Sequence, residues 1–505
     1  MKARVRRRLR NCKRRIQRRL RKKQWAEQSR RMFRDRNIHY EISDKAQGLH
    51  CGGIGAIHLL VQQLGLADAI DRDLHLLKRH VPYFESDHVL NLTYNLLAGG
   101  TCLQALELLR NNENYLDVLD AQRIPDPTTA GDFLRRFEAA DLDTLMRVLN
   151  HQRVKVWQQQ PAAFLEHAII EADGTLVGTT GECKQGMDLS YNGVWGYHPL
   201  LVSLANTNEP LFLVNRSASR PSHEGAAEYF DRAATLCRQA GFRQITFRGD
   251  TDFTQAAHLD RWDQEDGIHF VFGIDAQPNL VAIAERLPER IWQPLPRPAR
   301  HEVANKVPRT RPANAKQAVV VKKGYTDIRL VSEQVAEFNY RPGACRQDYL
   351  VVVLRKHLVI EKKGVKVDEE VRYFFYITNQ WAWGPAAVVY FANDRCNQEK
   401  LIEQLKNGVR ALRAPSNTLE SNGAYMVIAA LAWSLKAWLA LLQPRAADRQ
   451  ALLTMEFKRF LQEVVLLPCQ VVRAGRRLVY RLLQWNPWVD LLCRCVEVLR
   501  RLRFP

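Results

Sequence analysis

Three carboxylates of this sequence stand where chemistry could be done: Asp173, Asp250 and Glu399. The first two each close an apolar run that reads as a strand, Phe164 to Asp173 and Gln244 to Asp250. Two Mg²⁺ ions about 3.5–4 Å apart need several hard oxygen ligands converging from rigid elements. Acids at neighbouring strand ends, joined by one on a later helix, meet that need. Strand-end acids are also common in any α/β protein, so their position alone leaves both readings open. Arg395, Glu399 and Lys406 follow at spacings of 4 and 7 residues. At about 100° per residue all three fall within roughly 40° of one another around a helix. A carboxylate flanked by two cations suits a site that binds metal and phosphate together. A solvent face with an i,i+4 ion pair between Arg395 and Glu399 is the plainer reading of the same spacing.

The elements that must hold these residues follow from hydrophobic period. From about Gly52 to Asn150 the pattern is helical, with runs at Ile54–Leu66, His88–Ala98 and Leu103–Arg110. Thr128 or Thr129 is the expected N-cap of a further short helix. The period then changes. Strands are predicted at Phe164–Thr175, Gly193–Leu204 and Pro210–Asn215, a helix at Glu224–Ala240, a strand at Gln244–Asp250, a helix at Thr254–Asp266 and a strand at Ile268–Ile274. A three-strand meander running into alternating helix and strand is the ribonuclease-H-like order. After Asp275 the helical pattern lapses. Residues 286–316 read as a Pro- and Arg-rich loop, followed by β-type runs at Ala318–Lys322, Tyr349–Leu354, Leu358–Glu361 and Val371–Thr378. A helix is expected from Asp394 to about Leu412, then a hydrophobic helix, then a basic helical tail from about Ala446.

The division expected is a basic arm at 1–36, a helical domain at 37–155 that suits DNA binding and equally a purely structural role, an α/β domain at 156–442 with a β-rich insertion at about 278–389, which would be the catalytic one, and a basic helical region at 443–505. Charge follows this division. Of 505 residues, 1–36 hold 18 Lys/Arg against 2 Asp/Glu, a local +16; 443–505 carry +7 and the body between is −3. A near-neutral body with basic ends suits a polyanion held at particular places, nucleic acid first among them. The arm itself can be a solvated tail when free and ordered on phosphates when bound. The ten cysteines include no CxxC and keep no histidine cluster beside them, which excludes zinc fingers and favours free thiols in a reducing compartment. The apolar stretch Ala424–Leu442 is expected to be a buried core helix and not a membrane span. No secretory signal is seen, and no GxxxxGK[ST] supports nucleotide binding.

Three short motifs carry a resemblance: Asp173-Gly-Thr, Arg248-Gly-Asp250-Thr-Asp-Phe253, and Asn393-Asp-Arg395-x3-Glu399-x6-Lys406. Together they resemble bacterial insertion-sequence transposases of the DDE class, in the subgroup with a Tyr-Arg-Glu-Lys signature and a β-rich insertion before it. The similarity spans about residues 40–480. It implies that Asp173, Asp250 and Glu399 are catalytic and hold two divalent ions, Mg²⁺ with Mn²⁺ as a substitute. Arg395 and Lys406 would hold DNA phosphates beside the scissile bond. The signature tyrosine is missing, because its position is Ala392, with Tyr390 two residues earlier. Asp252 is a rival to Asp250 on the same strand face, and Glu420 a rival to Glu399; Glu171 shares the face of Asp173 in a supporting or structural role.

The activity implied is cleavage at the terminal inverted repeats of a mobile element and transfer of the freed 3′-hydroxyl to target DNA. In related enzymes the insertion holds a tryptophan against a flipped base, for which Trp292, Trp381 and Trp383 are the candidates. Arg6, Arg7, Arg8, Arg14 and Arg15 of the arm are expected on DNA phosphates. A homodimer in the synaptic complex, double-stranded DNA as partner and a cytoplasmic, nucleoid-associated location complete the expectation. Two alternatives remain: a catalytically lapsed transposase descendant that only binds DNA, and a ribonuclease-H-like nuclease without strand transfer.

Overall fold

The computed structural model describes residues 47–297, 315–474, 477–502 and 504, with scattered helical positions between 7 and 18. Its centre is a nine-stranded mixed sheet. We label its strands β1 (His167–Gly174), β2 (Leu200–Leu204), β3 (Glu209–Val214), β4 (Gln244–Gly249), β5 (His269–Ile274), β6 (Gln293–Pro294), β7 (Thr326–Tyr340), β8 (Tyr349–Lys362) and β9 (Val365–Thr378). The spatial order is β6-β7-β8-β9-β5-β4-β1-β2-β3. β1, β2 and β3 form an antiparallel meander, whereas β1, β4 and β5 run parallel. The parallel strands are mostly buried along their length, as expected where both faces are covered. Phe247, Phe270 and Phe272 are fully buried there, with helix α1 (Ala226–Ala240) on one face.

The β-rich segment extends this same sheet. β9 pairs antiparallel with β5, from Phe375↔Ile274 to Thr378↔Val271, and the long β7–β8–β9 ribbon follows. Several local expectations are corrected. Ala318–Lys322 is not a strand but lies in a helix, Ala315–Lys323; its valines allow either state, and tertiary context decides. Helix is also present after Asp275, at Pro278–Arg286, started by a proline in its first turn. Asp126, not Thr128 or Thr129, caps helix Pro127–Leu134, its carboxylate accepting from Thr129 N–H at 2.9 Å.

Helix α2 (Pro385–Asn393) and helix α3 (Cys396–Glu403) are separate, and α3 runs into a π turn, Gln404–Gly408. Helix α4 (Leu419–Leu441) is the hydrophobic helix. It is the one helix among the described residues long and apolar enough to cross a membrane, yet its apolar window is 100% buried in the protein. It packs against helices Glu85–Leu97 and Ala139–Trp157 and against β3, so one apolar core runs from the N-terminal helices into the sheet. The tail is only partly helical. Strands Cys469–Ala474 and Arg477–Leu482 form a hairpin that pairs with Gly48–Leu49. Gly52 and Gly53 permit this closure, since a Cβ on Gly53 would lie 2.1 Å from the Val464 carbonyl oxygen.

Candidate active site

The register of β1 with β4 pairs Glu171 with Arg248. Two residues further on, Asp173 at the end of β1 and Asp250 just past β4 therefore stand level on adjacent parallel strands. Both reach one cation: Arg395 Nη2 donates to Asp173 Oδ2 at 3.1 Å and to Asp250 Oδ2 at 2.6 Å. The Asp173 side chain is 15% exposed and that of Arg395 17%. Burial pushes the Asp173 carboxyl up to about 6; Arg395 opposes this, while Asp250 and Glu399 add to it. Asp250 is raised for the same first reason, with Arg395 again opposing.

Glu399 stands exposed in the first turn of α3. Its charge bears on Asp173, but among the described residues no three acidic, histidine or cysteine side chains gather closely enough to hold a metal. The predicted single face for Arg395, Glu399 and Lys406 does not form as drawn. Arg395 precedes α3 at its N-cap, and Lys406 lies in the π turn, whose i→i+5 bonding breaks the 100° step. Lys406 still comes to the site: burial lowers its amine, and Asp173 is the charge that opposes the shift.

The structure separates the rivals. Asp252 is not on the strand face but exposed on a short turn, its N–H donating to Asp250 Oδ1 at 3.2 Å. Glu420 lies in the first turn of α4. Tyr390 is on helix α2, not at a strand-to-helix join, and its hydroxyl donates to the Pro296 carbonyl, away from the acids. Ala392, where the signature tyrosine would stand, instead lines a cleft of about 390 Å³ with Asp250, Arg395 and Asp275. Of the tryptophans, Trp292 is buried with the Arg355 guanidinium 4.0 Å above its ring, and Trp383 packs against Phe391 at 5.1 Å. Trp381 is 53% exposed. Arg7, Arg14 and Arg15 are exposed at helical positions, whereas Arg6 and Arg8 lie outside the described residues.

Glu171 was expected beneath the acids in a supporting or structural role, but sequence reasoning missed its partner, Arg248. Arg248 donates to Glu171 Oε1 at 2.7 Å and to the Phe391 carbonyl oxygen at 2.7 Å, with its guanidinium over the Phe391 ring at 4.6 Å. This buried pair ties strands β1 and β4 to the end of α2, four residues before Arg395. Its signal was available, because Arg248 and Asp250 share a strand face just as Glu171 and Asp173 do. His198 was also missed. It is 5% exposed, its Nδ1 bonds the Arg220 carbonyl at 2.9 Å, and its Nε2 sits 2.7 Å from where a Cβ on Gly174 would be. Burial lowers its pKa, and Asp252 and Lys406 are among its charged neighbours.

The geometry defines an α/β protein whose paired strand-end acids meet on a cation beside a cleft. The family model described as transposase DDE domain group 1 matches residues 49–504, so the chain belongs to that family and is a DNA transposase. No curated protein matches it. Among solved structures the chain is similar to a piggyBac transposase synaptic complex with hairpin DNA, at 10% identity and a TM-score of 0.33, over 82% of this chain and 81% of that one.

Proposed function

We propose that this transposase cuts the phosphodiester at the terminal inverted repeats of a mobile element and joins the freed 3′-hydroxyl to target DNA. The observation that carries the reading is the meeting of Asp173 and Asp250, from level ends of parallel strands, on the single cation Arg395. Both acids are raised first by burial, Asp173 further by Asp250 and Asp250 further by Asp252, and their oxygens are the hard donors that Mg²⁺ or Mn²⁺ takes. The oxygens of Asp173 and Asp250 therefore suit divalent ions, and Glu399 would be the third residue to hold them. Bound there, two such ions would supply Lewis acidity to the attacking and leaving oxygens.

The protein's own groups do the positioning. Arg395, displaced from the acids, holds a phosphate oxygen beside the scissile bond, and Lys406 holds a second. Cleavage adds water to phosphorus and expels the 3′ oxygen as a hydroxyl; transfer repeats the displacement with that hydroxyl as nucleophile. Neither step needs a covalent link to the protein. The strand order β3-β2-β1-β4-β5 supports a ribonuclease-H-like catalytic unit. The arm, the helices between Ile54 and Trp157 and the Arg-rich segment 286–316 would recognise the ends, and a homodimer would pair two of them.

The test is cleavage of a labelled duplex carrying the element's ends with Mg²⁺ or Mn²⁺, beside Asp173→Ala, Asp250→Ala and Glu399→Ala, with binding followed in parallel. Metal-dependent nicking lost in all three variants while binding persists is expected. A second reading, a lapsed DNA-binding descendant, is favoured by the open arrangement of Glu399. Tight binding without cleavage by the wild type would decide for it, and cleavage that survives Glu399→Ala would remove that residue from the triad.

A further inference from the structure

A larger groove, about 1060 Å³, is lined by two chain segments that leave the site, with Thr101–Leu103 and Tyr425 closing it. One wall is the flap between β1 and β2, a small three-stranded sheet of Val177–Gly178, Asp188–Leu189 and Trp195–Tyr197 that begins four residues after Asp173. The other is the loop 410–415, which begins four residues after Lys406. The walls are joined, since Lys184 Nζ donates to the Ser416 carbonyl at 2.6 Å and Gln185 N–H to the Asn417 carbonyl at 2.7 Å.

The lining has a consistent chemistry. Trp195 is 53% exposed and, among the described residues, stacks on no other ring; Tyr191 at the flap tip is 90% exposed. Arg410 and Arg413 line the opposite wall, and among the described residues neither has a carboxylate within ion-pair distance. Most other arginines of the body that lie near acids are paired, Arg153, Arg248, Arg261 and Arg355 among them. Arg410 is held at φ 61, a conformation that costs a non-glycine residue energy, with its carbonyl fixed by the Tyr425 hydroxyl at 3.2 Å. Thr179 and Thr180 add hydroxyls, and Glu182 is the acid at the rim. Guanidinium groups without carboxylate partners, facing an unstacked indole, are the pair of features that bind an unpaired strand: charge for the phosphates and a π-face for the bases.

We propose that this groove receives a single DNA strand leaving the catalytic acids, with its phosphates on Arg410 and Arg413 and a base on Trp195. The proposal rests on the transposase reading and moves base stacking from the insertion to the flap. Inside a duplex the base faces are covered by their stacked neighbours, and only the terminal pair is open, so the groove favours unpaired over paired DNA.

The test compares a blunt duplex with the same duplex bearing a six-thymidine tail, by fluorescence anisotropy, and places 2-aminopurine in the tail. Wild type is expected to bind the tailed duplex about tenfold more tightly than the blunt one. Trp195→Ala and the double variant Arg410→Ala/Arg413→Ala are expected to lose most of that margin and keep blunt-duplex affinity. Trp195→Phe is expected to restore it, with 2-aminopurine quenching lost in Trp195→Ala alone of the two tryptophan variants. Equal tailed-duplex binding by wild type and Trp195→Ala overturns the proposal, as does a smaller assembly of Trp195→Ala than of wild type on gel filtration, which would make the patch a contact between copies. Wild type that cuts element ends while Trp195→Ala behaves identically removes only the groove; wild type that neither binds nor cuts duplex removes the transposase reading with it.

Discussion

At the scale of single residues the decisive feature is a cation in a place that other cations would need. Arg395 satisfies both Asp173 and Asp250, so a divalent ion must compete with its guanidinium before it can bind either acid. A hydrogen bond to a charged group contributes about 1.5–3 kcal/mol, so removing the competitor should tighten ion binding by roughly tenfold or more. Arg395→Gln is therefore expected to show Mn²⁺-induced thermal stabilisation at about tenfold lower ion concentration, while end cleavage falls because the scissile phosphate is held less firmly. An unchanged Mn²⁺ midpoint would mean that the guanidinium does not compete. Protons compete as well. With Asp173 raised to about 6, the ion titration should weaken as pH falls through that value, since only the ionised carboxylate binds metal.

At the scale of elements, helix α4 carries a charge through the core. Lys436 is 1% exposed; its amine donates to the Leu453 carbonyl at 3.0 Å and lies 4.0 Å from the Trp433 ring centre. Burial, with Lys400 adding to it, lowers this amine to about 7. An unfolded lysine titrates at about 10.4. Between those values the unfolded chain holds a proton that the folded chain has released, so stability rises with pH across that window and is lowest below about 7. Lys436→Met is expected to stabilise the protein by about 2–4 kcal/mol at pH 6, an advantage that shrinks towards pH 10 in denaturant titrations. A gap independent of pH would contradict this origin. The same scale shows what sequence could deliver. β1 and β4 were legible because alternation and a terminal Asp-containing turn mark a strand end, and α4 because nothing polar interrupts it for long. The face joining Arg395, Glu399 and Lys406 was not, because a helix break at Asp394 and a π turn at Gln404–Gly408 depend on packing and leave no periodic trace. Ala318–Lys322 misled through its three valines. The C-terminal hairpin was hidden because its partner, Gly48–Leu49, lies more than four hundred residues away in the chain.

At the scale of the whole molecule, two couplings set behaviour. The first is internal. Glu209 on β3 is fully buried and accepts from Arg153 at 3.1 Å, Trp157 at 2.9 Å, Trp438 at 2.8 Å and Thr207 at 2.7 Å, which joins the N-terminal helices, the sheet and α4 through one carboxylate. Removing one partner of a buried pair costs about 3–5 kcal/mol because the other charge is left uncompensated. Glu209→Leu is expected to lose that much in urea unfolding while the transition stays single, because the three elements share one core. The second coupling is with DNA. The body between the basic ends is −3, so it offers no net attraction to a polyanion, whereas residues 1–23 alone hold 14 Lys/Arg. Arg7 and Arg14 are exposed, and Lys13 lies 5.5 Å from the Trp485 ring, which sets the arm beside the other basic end. Each phosphate neutralised on duplex DNA adds about −0.9 to the slope of log affinity against log salt. Deleting residues 1–23 should therefore flatten that slope by roughly one unit for every phosphate the arm neutralises, measured by anisotropy between about 50 and 200 mM salt. Catalysis on a high concentration of pre-nicked ends at low salt should survive, because Asp173, Asp250 and Arg395 owe nothing to the arm. An unchanged slope would place the phosphate contacts outside the arm, on the basic 443–505 end or on body cations such as Lys406, Arg410 and Arg413.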